Sequence, residues 1–374
     1  MTFVDRSVVV PAEWQARSTW DGEHGEVVTG PIAGAALTDF TDVLTKFGYD
    51  PELVEIVGKV NQWRKERPDG TWLTSYFFGV QSKRDSIDLP ALYAAASKRP
   101  ARPFNTVPAP RTCVPVIADV QAGKTASRGG TPELVDRLAE KRDKLTVELK
   151  RRKPEEVFLP DVGDLIENFQ SGGNPMFTND LSLTQQLDLA ATEIYKFVEL
   201  AARFGPVTVA TVPSNHGAWR QGKQNLGRAS DDFGVFVHKQ VEKHARAAGI
   251  DAAWVFAPEY DEANVVNVRG TRIGLVHGNQ FSPGGAIKWW AGQQHGGQPV
   301  GSADVLLTGH YHHLSVLPSG RNPYTGRSKW WLQAPTLDNG SDWFRNTAGD
   351  DSDPGLLLFD VTDDGFDLQS LTVL

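Results

Sequence analysis

The sequence contains a single cysteine, Cys113, among its 374 residues. One cysteine excludes an internal disulfide, and a chain without disulfides suits a reducing compartment. Cys113 stands at the start of an apolar run, which is typical of a small buried hydrophobic residue. We therefore do not expect a cysteine nucleophile.

Long hydrophobic runs are also missing. No stretch of about 18 apolar residues without charges occurs, so no membrane span is expected. The first twenty residues lack a basic flank followed by an apolar core, which argues against a signal peptide. These absences predict a soluble, cytoplasmic protein with no membrane partner.

Charge of one sign does not accumulate in long blocks, and the formal net charge is −8. With 40% hydrophobic and 22% charged residues, the chain can bury a full core, and global disorder is not expected. An acidic chain can still bind nucleic acid, but only through a local basic patch.

The composition changes along the chain and predicts two domains. Residues 85–111 contain five prolines and read as a linker, with one short helix near Leu89–Lys98. We therefore predict a small N-terminal α+β domain at 1–84 and a large domain at 112–374.

The N-terminal part has two predicted helices, Thr38–Phe47 and Pro51–Val60. A hairpin follows, with its turn at Pro68-Asp69-Gly70. Two helices and a hairpin follow one another in the same order in winged-helix modules. A structural brace for the larger domain is the alternative.

The large part alternates between predicted strands and helices. The strands are Val114–Ala118, Glu156–Pro160, Val207–Val212, Arg272–Val276 and Val305–Leu307, and the helices are Pro132–Arg151, Leu183–Phe204 and Asp232–Ala248. A hairpin is predicted around Arg269-Gly270, and short β segments from Lys329 onward. Such alternation predicts an α/β fold with a mixed sheet core.

Polar residues follow five of these strands. They are Asp119, Asp164, Asn215 with His216, His277, and His310 with His312. Each alone could be a helix cap, a turn residue or a buried histidine. Together, at strand ends that share one crevice, they predict a site for a borderline metal such as manganese, iron or zinc.

This ordered set resembles the calcineurin-like metallophosphoesterase superfamily, which includes the Mre11 and SbcD nucleases. The family pattern is Asp-x-His, Gly-Asp, Gly-Asn-His, a lone His and Gly-His-x-His. The corresponding residues here are Asp119-Val120-Gln121, Gly163-Asp164, Ser214-Asn215-His216, His277 and Gly309-His310-Tyr311-His312. The Asp-x-Gln variant and the Gln-Ala-Pro-Thr-Leu-Asp stretch near residue 335 are most similar to phage-encoded members, which would place the protein in the host cytoplasm.

The resemblance implies a four-layer fold, in which a central β-sandwich of mixed sheets is flanked by helices. It also implies two divalent metal ions, of which Mn²⁺ fits best and Fe, Zn or Mg are alternatives. Asp164 would bridge both metals, Asp119 and His312 would hold the first, and Asn215, His277 and His310 the second. A metal-bound hydroxide would attack phosphorus while His216 protonates the leaving oxygen.

Gln121 departs from the family pattern, because an amide stands where the usual first-motif histidine would be. An amide oxygen can bind metal more weakly than imidazole, so ligation by Gln121 is one of two readings. Gly217 follows His216 where relatives often carry an acid. If a carboxylate tunes His216, it must therefore come from elsewhere in the chain.

The loop after His216 combines an aromatic residue with cations. Its candidate substrate-binding residues are Trp219, Arg220, Lys223 and Arg228. Arginine and lysine pair with phosphates, and tryptophan can stack on a base. The alternative is a solvated loop with a packed tryptophan. Lys124 and Arg128 could extend a basic track.

The leading prediction is a hydrolase that cleaves nucleic-acid phosphodiester bonds, a DNA exonuclease or endonuclease. Alternatives are a small-substrate phosphatase or cyclic-nucleotide phosphodiesterase, and a degenerate binding protein without activity. The oligomeric state stays open, with a homodimer among the alternatives.

Overall fold

The computed structural model describes residues 11–83, 89–98, 110–169, 179–221, 224–340, 342, 345–346, 349 and 352–374. The chain divides into two compact units, Met1–Phe104 and Asn105–Leu374. The predicted linker 85–111 lies mostly outside the described residues. The short helix predicted within it is confirmed at Leu89–Ser97.

The first unit is built on an antiparallel sheet. Its strands are β1 (Arg17–Trp20), β2 (His24–Val28), β3 (Ile32–Ala33), β4 (Val54–Glu66) and β5 (Trp72–Ser82), and its helices are α1 (Thr41–Lys46) and α2 (Leu89–Ser97). Strand β5 pairs with β2, β3 and β4. Val27, Tyr76 and Phe78 are buried in its core.

The hairpin predicted around Pro68-Asp69-Gly70 is confirmed by the pairing of β4 with β5. The helix predicted at Pro51–Val60 is wrong, because the chain is a strand from Val54 onward. A bulge lies between Val57 and Asn61, and it breaks the strand alternation that would have revealed β4. The element order expected of a winged-helix module is therefore wrong as well.

The second unit alternates between strands and helices, as predicted. Its helices are α3 (Thr131–Arg152), α4 (Leu183–Ala202), α5 (Phe233–Ala247) and α6 (Ala286–His295). Its strands are β6 (Arg111–Val116), β7 (Glu156–Asp161), β8 (Val207–Thr211), β9 (Arg220–Gln221), β10 (Gln224–Asn225), β11 (Ala252–Phe256), β12 (Ala263–Val268), β13 (Thr271–Val276), β14 (Val305–Thr308), β15 (Ser315–Arg321), β16 (Ser328–Gln333), β17 (Leu357–Thr362) and β18 (Gly365–Val373).

Two mixed sheets form the centre of this unit. The first has the order β11-β8-β7-β6-β17-β18, and its first four strands are parallel. The second has the order β12-β13-β14-β16-β15, with β13, β14 and β16 parallel. Parallel strands bring their carboxyl ends to one edge of each sheet, which is where the candidate residues follow.

The two sheets pack face to face, with Phe158, Leu275, Leu307 and Phe359 buried between them. Residues of α3, α4 and α5 form a second core with the outer face of the first sheet. Residues of α6, including Trp290, pack on the second sheet. The predicted sandwich of mixed sheets flanked by helices is confirmed.

Local sequence explains where the helices begin. Ser182 caps α4 by accepting a hydrogen bond from the Gln185 N–H, and the Gln185 side chain accepts from the Ser182 N–H. Asp232 caps α5 by accepting from the Val235 N–H at 2.9 Å. Within the described part of the chain, no helix combines the length and apolarity needed to cross a membrane.

Candidate metal centre

Three residues from the two sheets converge on a small volume. The Asp164 Oδ2 and His277 Nε2 atoms are 3.0 Å apart, and His277 Nε2 is 3.2 Å from His310 Nδ1. The ligand atoms of all three side chains lie within 4.8 Å of one another. One carboxylate and two imidazoles at this spacing suit a divalent transition metal.

The His277 ring is oriented by its second nitrogen. Nδ1 lies 2.7 Å from the carbonyl oxygen of Val162, which can only accept a hydrogen bond. Nδ1 therefore carries a hydrogen, and the Nε2 lone pair can face a metal ion. A backbone carbonyl behind a ligand histidine is a common arrangement in metal sites.

Asp119 and His312 form the other side of the centre. His312 Nε2 lies 3.5 Å from Asp119 Oδ1, and the Asp119 carboxylate accepts the His310 N–H at 3.1 and 3.2 Å. Gly309 must remain glycine here, since a Cβ atom would lie 2.6 Å from Asp119 Oδ2. This contact explains the glycine of the Gly-His-x-His motif.

Backbone strain is concentrated at the centre. Among the described residues, eight that are not glycine have positive φ, and five of these belong to the predicted site: Asp119, Gln121, Asp164, His310 and His312. Left-handed conformations are costly for such residues and cluster at functional sites. The backbone turns are therefore shaped to aim these side chains, at some cost to stability.

His216 lies beside Asp164, and its backbone N–H donates to Asp164 Oδ1 at 2.9 Å. Its Nδ1 is 2.8 Å from the Glu167 carbonyl oxygen, so Nδ1 carries a hydrogen. Its Nε2 is 3.8 Å from Asp164 Oδ2. The Nε2 atom thus faces the centre. Asn215 precedes His216 directly in the chain.

Glu167 was missed by the sequence analysis, although it follows Asp164 by only three residues. Its carboxylate Oε2 lies 3.4 Å from His216 Nδ1, which places a carboxylate beside the His216 ring. Burial raises the pKa of the Glu167 carboxyl, with Asp338 and Asp164 adding to the rise.

Gln121 is surrounded by polar groups rather than by open space. Its Oε1 accepts a hydrogen bond from Lys124 Nζ at 2.6 Å, and its Nε2 lies 3.4 Å from His216 Nε2. Lys124 Nζ also contacts Asp338 Oδ2 at 2.5 Å. Burial lowers the pKa of Lys124, but Asp338 and Glu167 outweigh it, so the pKa stands raised and the side chain is charged.

The buried charged groups of the centre shift one another's pKa values. Burial opposes ionisation of Asp164, yet His277 and His216 hold its pKa well below the usual range. Burial also disfavours the charged form of His277, but Asp164 raises the pKa of His277 to about 9. Burial and the charge of His277 lower the pKa of His310 to about 3. Asp164 and His277 thus each favour the charged form of the other.

The predicted substrate residues share one small cavity. Trp219, Arg220 and Arg228 line it together with Ser214, and Trp219 is 55% exposed. Arg228 is ion-paired with Glu259 and lies over the Tyr260 ring at 5.2 Å. Lys223 lies outside the described residues. The structure thus brings three of the four residues together beside the Asn215–His216 turn.

Two adjacent tryptophans, Trp289 and Trp290, follow the His277 strand in α6. Trp290 is buried, and its Nε1 donates to the Val300 carbonyl oxygen at 2.8 Å. It belongs to the core of the second sheet rather than to the surface. Trp289 is partly buried against the same cluster.

No protein-family model and no curated protein matches this chain. Among solved structures, it is similar to Vps29 of Chaetomium thermophilum, determined in complex with the RaPID-derived cyclic peptide RT-D3. The TM-score is 0.26 and the sequence identity 14%, over 48% of this chain and 82% of that chain. A TM-score of this size carries no argument about function.

Proposed function

We propose that this chain is a metal-dependent phosphodiesterase of the calcineurin-like superfamily, acting on nucleic acid. The observation that carries the proposal is the convergence of Asp164, His277 and His310 within 4.8 Å, although Asp164 is 113 positions from His277 and the two histidines are 33 positions apart. These residues occupy the positions at which the calcineurin-like motifs carry metal ligands. Their chemistry, one carboxylate and two imidazoles, fits a borderline divalent ion.

A divalent ion held there would supply Lewis-acid activation of water and neutralise charge on the phosphoryl group. The protein's own residues do the remaining work. His216 Nε2 faces the same centre and can give a proton to the leaving oxygen. The Glu167 carbonyl holds the His216 ring from behind, which aims Nε2.

The nucleic-acid part of the proposal rests on the loop beside the centre. Trp219 is more than half exposed next to the partly buried Arg220. Within the described residues, Arg220 has no carboxylate at ion-pair distance, and its Nε atom has no hydrogen-bond partner. The Arg220 guanidinium could therefore pair with a phosphate, while the neighbouring Trp219 ring stacks on the adjacent base.

The proposal is tested by incubating the full chain with Mn²⁺ and end-labelled single- and double-stranded DNA. We expect cleavage that a chelator abolishes and that His216→Ala reduces by about 100-fold or more. His244→Ala, which changes an exposed histidine of α5, is the matched control and should keep full activity.

Three small substrates, an aryl phosphodiester, a cyclic nucleotide and an aryl phosphomonoester, separate the alternatives in the same assay. If an aryl phosphodiester or a cyclic nucleotide is hydrolysed while DNA stays intact, the nuclease assignment is wrong and a small-substrate enzyme is supported. Preference for an aryl phosphomonoester would support a phosphatase. Absence of hydrolysis of DNA and of every small substrate would support a binding protein.

A further inference from the structure

Lys124 forms a cluster with Gln121 and Asp338 that the proposed reaction does not use. Its Nζ lies 2.6 Å from Gln121 Oε1 and 2.5 Å from Asp338 Oδ2. The side chain of Lys124 is 11% exposed and that of Asp338 is 2% exposed. An ammonium held by two acceptors in a nearly dry site is a fixed positive charge.

This cluster determines which atom Gln121 presents to the centre. An ammonium can only donate, so the amide oxygen must face Lys124. The amide nitrogen then faces His216, at 3.4 Å from its Nε2. An amide nitrogen has no lone pair for a cation. Gln121 therefore offers no ligand atom in this arrangement, although it occupies the position of a family ligand.

The cluster is anchored to the turn that bears Asp119. The Asp338 N–H and the Thr336 hydroxyl both donate to the Asp119 carbonyl oxygen, at 3.2 and 2.9 Å. These residues come from the Gln-Ala-Pro-Thr-Leu-Asp stretch that the sequence analysis singled out. The Lys124 ammonium is thus held on the Asp119 side of the centre.

The two sides of the centre differ in what they offer a metal ion. Asp164, His277 and His310 form a three-residue ligand group. On the other side, Asp119 and His312 are a pair, and the third position of the first motif is Gln121, which is bound to an ammonium. A buried ammonium repels a second cation placed beside it.

We propose that the centre binds one divalent metal ion, at Asp164, His277 and His310, and that the Lys124 ammonium takes the place of a second metal ion on the Asp119 side. This inference rests on the proposed function and deepens it. The positive charge that a second metal ion would supply comes instead from a side chain. Gln121 acts as a positioning residue between that charge and His216.

The test is metal stoichiometry of the full chain, stripped with chelator and dialysed against Mn²⁺. Elemental analysis and titration calorimetry should give one Mn²⁺ per wild-type chain. Lys124→Arg, which keeps the charge, and Lys150→Met, which removes an exposed lysine of α3, should also give one. The double variant Gln121→His/Lys124→Met should give two, because it adds a ligand and removes the repelling charge.

Lys124→Met leaves the buried Asp338 carboxylate without its ammonium, which can prevent folding. The triple variant Gln121→His/Lys124→Met/Asp338→Asn removes that charge as well, and circular dichroism checks that it is folded. It too should bind two Mn²⁺ ions per chain.

Two tightly bound Mn²⁺ ions per wild-type chain would overturn the inference and leave the proposed function intact. One ion per chain in the folded triple variant would also overturn it, since Lys124 would then not be what excludes the second ion. No bound Mn²⁺ in the wild type, together with no metal-dependent hydrolysis, would instead contradict the proposed function itself.

Discussion

His277 Nε2 lies 3.0 Å from Asp164 Oδ2, although the two residues are 113 positions apart and follow strands of different sheets. Both side chains are almost completely buried. Two such groups would be a costly pair in an apolar core, because each must be desolvated. Their proximity is explained if both residues are ligands of one metal ion.

Replacing His277 with alanine should weaken Mn²⁺ binding by about 100-fold or more, because one of three ligands is lost. Titration calorimetry measures the affinity. His244→Ala should leave the affinity unchanged. Unaltered Mn²⁺ affinity in His277→Ala would show that the ion binds elsewhere.

Replacing His216 with alanine should lower kcat by about 100- to 10,000-fold while Mn²⁺ affinity stays within about 3-fold of the wild type. A general acid matters less when the leaving group is a weak base. The loss should therefore be larger for DNA than for an aryl diester with an acidic phenol. An equal loss for both substrates would contradict a role in protonating the leaving oxygen.

Gly309→Ala should disrupt the centre without unfolding the protein. The added Cβ would lie 2.6 Å from Asp119 Oδ2, so the carboxylate must move away from the His310 N–H that it accepts. We expect Mn²⁺ affinity to fall by about 10-fold or more. Gly292→Ala in α6 is the control, because its Cβ would meet nothing within 4 Å. Equal affinities in both variants would argue against this packing.

Trp219→Ala combined with Arg220→Ala should raise the KM for DNA by about 10-fold or more, because stacking on an aromatic ring contributes about 1–3 kcal/mol per base. The kcat for a small aryl diester should hardly change. Tyr324→Ala, which removes another exposed aromatic ring, is the control. A loss confined to the small substrate would contradict a role in nucleic-acid binding.

Cys113 should be unreactive in the folded protein. It is fully buried, its Sγ lies 3.1 Å from Asp360 Oδ1, and burial together with Asp360 raises the pKa of its thiol far above the ordinary value. Labelling by a thiol reagent at pH 8 should be at least about 100-fold slower than in denaturant. Rapid labelling of the native chain would contradict this burial.

The raised pKa of the Cys113 thiol also makes the free energy of unfolding depend on pH. The unfolded thiol ionises from about pH 8.5 upward, while the folded one stays protonated. The folded state then holds more protons, so the free energy of unfolding falls as pH rises above that value. Cys113→Ala should therefore make the free energy of unfolding fall less steeply with pH. Denaturant unfolding between pH 8 and 10 measures this dependence.

The strand ends that carry the centre could be predicted from the sequence, since each is a short apolar run followed by a polar residue. Strand β7 and the residues up to Asp164 are an example. What could not be predicted is which atoms face each other. The contact between Lys124 and Asp338 joins residues 214 positions apart, and nothing in the local sequence of either residue shows that their side chains meet.

Strand β4 shows a different limit. Val54, Val57 and Val60 recur at helical spacing, and Pro51 suits a first helical turn, so local sequence favoured a helix. The pairing of β4 with β5 along nearly its whole length overrides that preference. Strand β11 could not be predicted either, because its five residues show no clear alternation of buried and exposed positions. Helix α6 lacks a capping side chain and has no strong helical periodicity.

If Asp164, His277 and His310 bind one ion together, that ion must lie within coordination distance of all three side chains. The most direct measurement is anomalous scattering from a crystal grown with Mn²⁺. A peak within about 2.0–2.3 Å of a carboxylate oxygen of Asp164 and a ring nitrogen of each histidine is the predicted result. A peak that touches none of these residues, or no peak at all, would contradict the claim.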